Sequence, residues 1–553
     1  MMTPTELITH YRIVQHSFAP LRLSWWETNR VIAVQIWRDS SFFTRILIAF
    51  IGLCLLSIFS RLTRPRSLRR LGIPGAVQPR FSTWSLDFKK VLEDSAKKYP
   101  NSPFCLNAFG TEYAVLPSKC YDEVKRLPEH QASAFAFFRE AFHGAWTGAG
   151  VQTPELGRTI AVELTRGIPS LVHWRQMDCA EAFKMCIGEP SEWREIQLFE
   201  AIQRIVISVN SSSFVGRELG TNQNWLRLIY NMPLQLGIPT VILGWTPFLL
   251  QPLLKPFLFA PLRMTQRKIK SMLRPVLEND VQEYEASSDK KNLLSPKEQG
   301  KVQLTGWLLS RYKGKLDFEV LLQDFITVLF ESTPSTASTL FHVVCELAAD
   351  PALQDMLRQE LEEHTDNGSL PQTHLNELRK MDSVMRESAR ASPFSYSTNQ
   401  KDPYPPVVLY RKLSIPTKLS MGPELPAGTN ICVDAHHINT SPDLWDQPHT
   451  FDGLRHYRAR QQPQNENRYK FANLGSDAPS WGDGLQACPG RMFADNTIKI
   501  ILTHLLLNYD VKLRPGESKP EKGAMPNGSI VPDVWAKVLF RSRASSAVNE
   551  GKK

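Results

Sequence analysis

Apolar positions along this chain fall into three patterns. Residues 41–60, SFFTRILIAFIGLCLLSIFS, form a nearly unbroken apolar run with Arg45 as its single charge. As a helix such a run reaches roughly 30 Å, about a bilayer core, so it predicts a transmembrane anchor. Arg61, Arg64, Arg66, Arg69 and Arg70 follow at once. Positive residues stay on the cytosolic side, so the body of the chain is expected there. Residues 1–40 carry charges of both signs and do not read as a cleaved signal peptide. LGIPGAVQPR then supplies the prolines and glycines of a hinge.

The second pattern runs from Met232 to Leu262. It is apolar but broken by Pro233, Pro239, Pro247, Pro252, Pro256 and Pro261, which argue against one continuous spanning helix. The third is apolar spacing of helical period. MFADNTIKIILTHLLL shows it and predicts a helix from Met492. LPAGTNICV, with Pro426 and Gly428 at a turn, predicts a strand hairpin.

Composition narrows the class. The chain has 553 residues, 42% hydrophobic and 22% charged, which suits a globular body. Eight cysteines without pairing rhythm point to a reducing compartment and no disulfide frame. The net charge of +10 does not signal nucleic-acid binding. Much of the excess lies beside the apolar run, where anionic lipid is the natural partner, and no nucleic-acid motif accompanies it. The adjacent pair His436 and His437 does not share a helix face, so a metal role is not expected.

The chemistry concentrates in Trp481–Ala494, WGDGLQACPGRMFA. Gly482 and Gly484 permit a tight turn, and Pro489 suits a first helical turn. Cys488 is thereby placed at a helix N-terminus, where backbone N–H groups can face its sulfur and lower its pKa. This loop resembles the haem-ligand loop of the cytochrome P-450 family, Phe-Gly-x-Gly-x-His/Arg-x-Cys-x-Gly. Trp481 takes the Phe place, and Gly482, Gly484, Cys488 and Gly490 match. Gln486 stands where a cation usually meets a haem propionate; it could still donate a hydrogen bond there.

Further segments extend the resemblance in the right order. MDSVMRESAR holds Glu387 and Arg390 on one helix face, and FDGLR brings Arg455. The family implies that Glu387, Arg390 and Arg455 form a buried structural triad. Gly453 replaces a usual proline. The resemblance implies a mainly α fold, a large helical haem domain with a small β-sheet region, behind the N-terminal transmembrane helix. Its expected divisions are an N-terminal segment 1–40, an anchor 41–60, a basic hinge 61–80, a catalytic domain 81–543 and a polar tail 544–553. It also implies haem b with Cys488 as axial thiolate to iron, Trp481, Gly484 and Gln486 at the cofactor, and electrons from an NADPH–cytochrome P-450 reductase. No G-x-G-x-x-G fingerprint is present for NADPH itself.

On the oxygen-activating helix, which the resemblance places at DFITVLFESTPSTASTLFHVVCELAADP, Ser335 and Thr336, aligned from ELAADP, take the place of the proton-relaying alcohol and Pro334 that of the usual acid, where it removes an N–H and should kink the helix. A second register uses Thr333, and Glu331 lies one turn earlier. These hydroxyls could instead bond back to helix carbonyls. Phe394, Tyr396 and Val407 are candidate pocket walls, and the proline-rich apolar stretch is a candidate lid. The implied function is oxidation of a lipophilic polycyclic substrate, a terpenoid or meroterpenoid of fungal secondary metabolism, by an enzyme of the endoplasmic reticulum membrane. The alternatives are a haem-thiolate enzyme that rearranges or dehydrates without inserting oxygen, and a haem binder without catalysis. Asn210, Asn367, Asn439 and Asn527 match glycosylation sequons, but a cytosolic body does not meet that machinery.

Overall fold

Helices form where the apolar spacing has a helical period. The computed structural model describes residues 67–77, 88–108, 111–287, 301–312, 317–365, 371–392, 407–434, 436–520, 523–524 and 530–543, with Ser41, Gly52 and Leu55. The rest of the expected anchor at 41–60 lies outside the described residues, as do segment 1–40, the tail 544–553, Phe394, Tyr396, Asn367 and Asn527. Among the described residues, no helix is long and apolar enough to cross a membrane.

The chain forms two units, Met1–Pro65 with Thr246–Leu254, and Arg66–Trp245 with Lys255–Lys553. In the smaller unit, a tight turn at Phe248–Leu250 is closed by a bond from the Leu250 N–H to the Pro247 carbonyl, 2.9 Å.

The larger unit carries the helices that matter here. They are α1 (Phe88–Lys98), α2 (Tyr121–Arg126), α3 (Ala134–Ala141), α4 (Thr165–Cys186), α5 (Leu198–Val215) and α6 (Gln223–Trp245). Then come α7 (Ala260–Ala286), α8 (Phe318–Glu331), α9 (Pro334–Ala349), α10 (Pro351–His364), α11 (Arg379–Ala391), α12 (Arg455–Arg460) and α13 (Arg491–Asn508). Helix α6 runs unbroken through Pro233 and Pro239, and the apolar stretch breaks only after Trp245. Helices α5, α9 and α13 bury most of their side chains, which is the signature of a central position. Val209 of α5, Leu340 and Val344 of α9 and Ile498 and Leu502 of α13 belong to one core. Each such side chain contributes roughly 1.5–3 kcal/mol by leaving water.

One sheet has the order β1 (Phe104–Ala108), β2 (Thr111–Leu116), β6 (Asn430–Asp434), β5 (Val407–Leu413), β3 (Ala132–Ser133). Among the described strands of this sheet, β2 and β6 pair in parallel and the other neighbours antiparallel. Strand β6 follows the expected turn, where Gly428 has φ +84°. A second sheet orders β4 (Arg194–Gln197), β10 (Lys537–Ser542) and β7 (Tyr509–Lys512), and β8 (Gly523–Ala524) pairs with β9 (Ile530–Val531). The Pro-Gly segment expected as a hinge is fastened to β1: the Cys105 N–H donates to the Pro74 carbonyl at 2.7 Å, and the Ala76 N–H to the Cys105 carbonyl at 2.8 Å.

The seven described cysteines are free thiols. Among the described residues no group of His, Cys, Asp and Glu could hold a metal ion. Asn210 and Asn439 are both buried, so neither sequon can carry a glycan in this fold.

Candidate active site

Cys488 sits in a loop whose shape is fixed locally. Gly482 and Gly484 have φ of +68° and +66°, in the region where a side chain is strained. A Cβ on Gly484 would also overlap the Lys125 carbonyl of α2. The Asp483 carboxylate accepts from the Gly484 N–H at 2.7 Å and from the Tyr121 hydroxyl at 3.2 Å. The Cys488 N–H closes the loop on the Trp481 carbonyl at 2.8 Å. The Trp481 indole donates to the Phe471 carbonyl, also at 2.8 Å.

Helix α13 starts at Arg491 with Gly490 as its cap, so Pro489 precedes the helix instead of opening it. The N–H groups of Gly490 and Arg491 do bond to the Cys488 sulfur. They do not lower its pKa overall. Burial dominates and pushes the thiol up to about 11, against the partial offset of those N–H groups. The expectation of a depressed thiol therefore fails for the protein alone: the helix end is real, but desolvation outweighs it.

Gln486 is also placed differently from expectation. Its amide donates to the Ala132 carbonyl at 2.8 Å and the Leu127 carbonyl at 3.3 Å, and its oxygen accepts from the Ala134 N–H at 2.8 Å. Both amide hydrogens are used, so it staples the loop to the start of α3 and has none left for a propionate.

The helix over this region is broken as Pro334 predicts. Helix α8 ends at Glu331, Ser332 and Thr333 span the break, and α9 resumes with Pro334 in its first turn. The Asn210 amide holds the freed Ser332 carbonyl at 2.9 Å. Thr333 and Ser332 each bond back to the Leu329 carbonyl at 3.3 Å, and Thr339 bonds back to that of Ser335 at 3.1 Å. The Ser335 and Thr336 hydroxyls make no such bond among the described residues, and Thr336 is buried. Glu331, the last residue of α8, is exposed and acts electrostatically on Cys488.

The expected triad is assembled. Arg390 of α11 grips Glu387 from Nε to Oε2 at 2.8 Å and from Nη2 to Oε1 at 2.7 Å, and Arg455 Nε reaches Oε1 at 3.1 Å. The remaining Arg390 donors meet the Asn439 and Pro448 carbonyls at 2.8 and 2.7 Å. His456, which the sequence reading missed, lies with Nε2 3.3 Å from Glu387 Oε2. Burial alone would raise the Glu387 pKa, but Arg390 and His456 hold it down at about 2. Gly453 suits its place, since a Cβ there would meet Leu353 and Val384 at 3.2 Å.

A further cation was legible only as a charge inside the apolar strand VVLYRKL. Arg411 is buried on β5, beyond a bulge between Val408 and Arg411 where Leu409 has φ 51°. Its Nη1 donates to the Tyr410 carbonyl at 2.8 Å, while Nε and Nη2 have no partner among the described residues. Burial pushes its pKa down to about 10. An orphaned buried guanidinium fits an acidic group supplied by a ligand. A sulfur faced by backbone N–H groups fits a soft metal centre. The donor set therefore suits a haem, with Cys488 for iron and Arg411 for a propionate.

A central helix broken at Pro334, a cysteine in a glycine-rich loop at the start of α13 and a buried Glu-Arg-Arg triad together define a haem-thiolate class of protein. Residues 175–540 match the cytochrome P450 family model, and the chain belongs to that family. It is a monooxygenase-type oxidoreductase whose cofactor is haem with thiolate-ligated iron. It is 98% identical over 553 residues, 100% of each chain, to cytochrome P450 monooxygenase CYP1 of Pyricularia oryzae. It is 41% identical to cytochrome P450 monooxygenase ffsD of Aspergillus flavipes, over 97% of this chain and 99% of that one. It is 38% identical to the pyrichalasin C-18 hydroxylase of Pyricularia grisea, over 97% and 98%. Among solved structures, retinoic acid bound cyanobacterial CYP120A1 shares the fold, with TM-score 0.59 and 18% identity over 85% of this chain and 99% of that one.

Proposed function

We propose that the protein hydroxylates a carbon of a lipophilic, polycyclic intermediate in fungal secondary metabolism, using dioxygen and electrons from an NADPH-dependent reductase. The observation that carries this reading is the Cys488 sulfur in the glycine-rich loop before α13, faced by the N–H groups of Gly490 and Arg491. The similarity to the pyrichalasin C-18 hydroxylase favours a pyrichalasin-like substrate. The terpenoid or meroterpenoid expectation remains the second substrate class to assay. The apolar run at 41–60 supports an endoplasmic-reticulum anchor with the body in the cytosol.

When bound, haem supplies the oxygen-activating chemistry. The chain supplies the rest. Cys488 would supply the thiolate sulfur that holds the iron, and its loop keeps that sulfur still. Arg411 supplies positive charge to an acidic edge. Ser335 and Thr336 carry hydroxyls with free hydrogen-bonding capacity beside the helix break, suited to passing protons. Apolar residues of α5, α9 and α13 exclude water from the interior.

The test is the carbon monoxide difference spectrum of the reduced, membrane-expressed protein beside Cys488→Ala. A strongly red-shifted Soret band, absent in the variant, is the expected result. No band in folded, haem-supplied protein would sink the assignment. Turnover with reductase, with and without NADPH, then separates oxygen insertion from rearrangement.

A further inference from the structure

Arg175 is a buried cation whose hydrogen-bond partners are all neutral. It lies in α4, and among the described residues no carboxylate pairs with it. Asp178 of the same helix is committed to Arg217 at 2.9 Å. Arg175 Nη1 donates to Asn496 Oδ1, and Nη2 donates to Thr497 Oγ1 and, at 3.0 Å, to Asn210 Oδ1. Its Cζ stands 4.1 Å from the centre of the Phe493 ring. Phe493, Asn496 and Thr497 all belong to the start of α13, the helix that follows Cys488.

Asn210, buried in α5, carries these contacts onward. Its Oδ1 takes the Arg175 donor and lies 2.9 Å from the Thr497 hydroxyl. With the oxygen committed to donors on that side, the amide nitrogen must face the other way. There it donates to the freed Ser332 carbonyl at 2.9 Å, inside the α8–α9 break. Arg175 therefore fixes which way Asn210 points, and Asn210 fixes a carbonyl of the broken helix.

We propose that Arg175 is a positioning residue: through Asn210 it couples the helix behind Cys488 to the α8–α9 break, and so sets where Ser335 and Thr336 stand. This rests on the monooxygenase reading above, in which those two hydroxyls pass protons. They lie in the first turn of α9, directly after the segment that Asn210 holds. Stability alone does not account for the arrangement. A well-packed apolar side chain would stabilise this site about as well as a buried guanidinium. What an apolar residue lacks is the means to hold acceptors on two helices, α5 and α13, in one geometry. The arrangement also gives buried Asn210 a use that its sequon does not suggest.

Asn210→Asp separates this role from plain packing. It gives Arg175 a counter-charge but leaves the Ser332 carbonyl without its donor. Full-length, haem-loaded wild type, Asn210→Asp and Arg175→Met are compared in three measurements. These are thermal unfolding, hydrogen–deuterium exchange of residues 328–340, and the infrared stretch of bound carbon monoxide. Asn210→Asp is expected to melt no lower than wild type, yet to exchange several-fold faster across 328–340 and to shift or split the stretch. Arg175→Met should show the same faster exchange, because Asn210 is then free to turn. Unchanged exchange and an unchanged stretch in Asn210→Asp would overturn the proposal. So would faster exchange spread evenly over α5, α13 and 328–340 with a lowered melting temperature, the pattern of a packing role. If Arg175→Met does not fold, Asn210→Asp still decides. Absence of the carbon monoxide Soret band in wild type would overturn the monooxygenase reading and this proposal together. The band beside unaltered exchange overturns the positioning role alone.

Discussion

Arg390 and Glu387 are joined by two parallel bonds, Nε to Oε2 at 2.8 Å and Nη2 to Oε1 at 2.7 Å, with both side chains almost completely buried. The pair ties α11 to the segment after β6, because Arg390 also binds the Asn439, Pro448 and Thr450 carbonyls. Removing one partner leaves the other as an uncompensated buried charge. Glu387→Gln is expected to destabilise the fold by about 3–5 kcal/mol, measured by denaturant unfolding.

The same carboxylate sets an acid limit. Its folded pKa of about 2 lies below the ordinary 4.5, so its contribution is complete above pH 4.5 and is lost as pH falls toward 2. The shift corresponds to stability on the order of 3 kcal/mol. Wild-type stability should therefore fall more steeply than that of Glu387→Gln below pH 4.5. Parallel acid profiles would contradict this.

Arg411 gives opposite signs with and without cofactor. Its guanidinium is buried with Nε and Nη2 unpartnered. Arg411→Met should melt no lower than wild type without haem, since an unpaired buried charge is removed. It should retain several-fold less haem per protein, read from the Soret to 280 nm absorbance ratio, because an acidic group of the cofactor would lose its buried cation.

The two loop glycines should differ. Gly482→Ala meets only the strain of positive φ, roughly 1–2 kcal/mol, because its nearest neighbour would be 3.6 Å away. Gly484→Ala adds overlap with the Lys125 backbone. Haem incorporation should survive the first change and collapse with the second.

Gln486→Leu removes three bonds to the backbone between Leu127 and Ala134. An orphaned buried N–H or carbonyl costs about 1–3 kcal/mol, so the melting temperature should drop. Gln486→Arg, offering the usual cation, should drop it as well. A stabilising effect of arginine would restore the propionate role.

The sequence by itself determined what depends on local backbone chemistry. It fixed the glycine turn before Cys488, the helix break at Pro334, the shared face of Glu387 and Arg390, and the strand after Gly428. Each follows from φ limits, a missing N–H or helical spacing, and none needs a distant partner. Tertiary structure decided the rest. Gln486 finds its partners more than 350 positions away at Ala132 and Ala134, so no local pattern could reveal that its amide is spent. The Cys488 pKa rises because burial outweighs the helix end, and burial is a property of the assembled core. His456 and Arg411 acquired meaning the same way. Their charges were visible in the chain, but only packing shows which of them meet a counter-charge and which are left facing an interior without one.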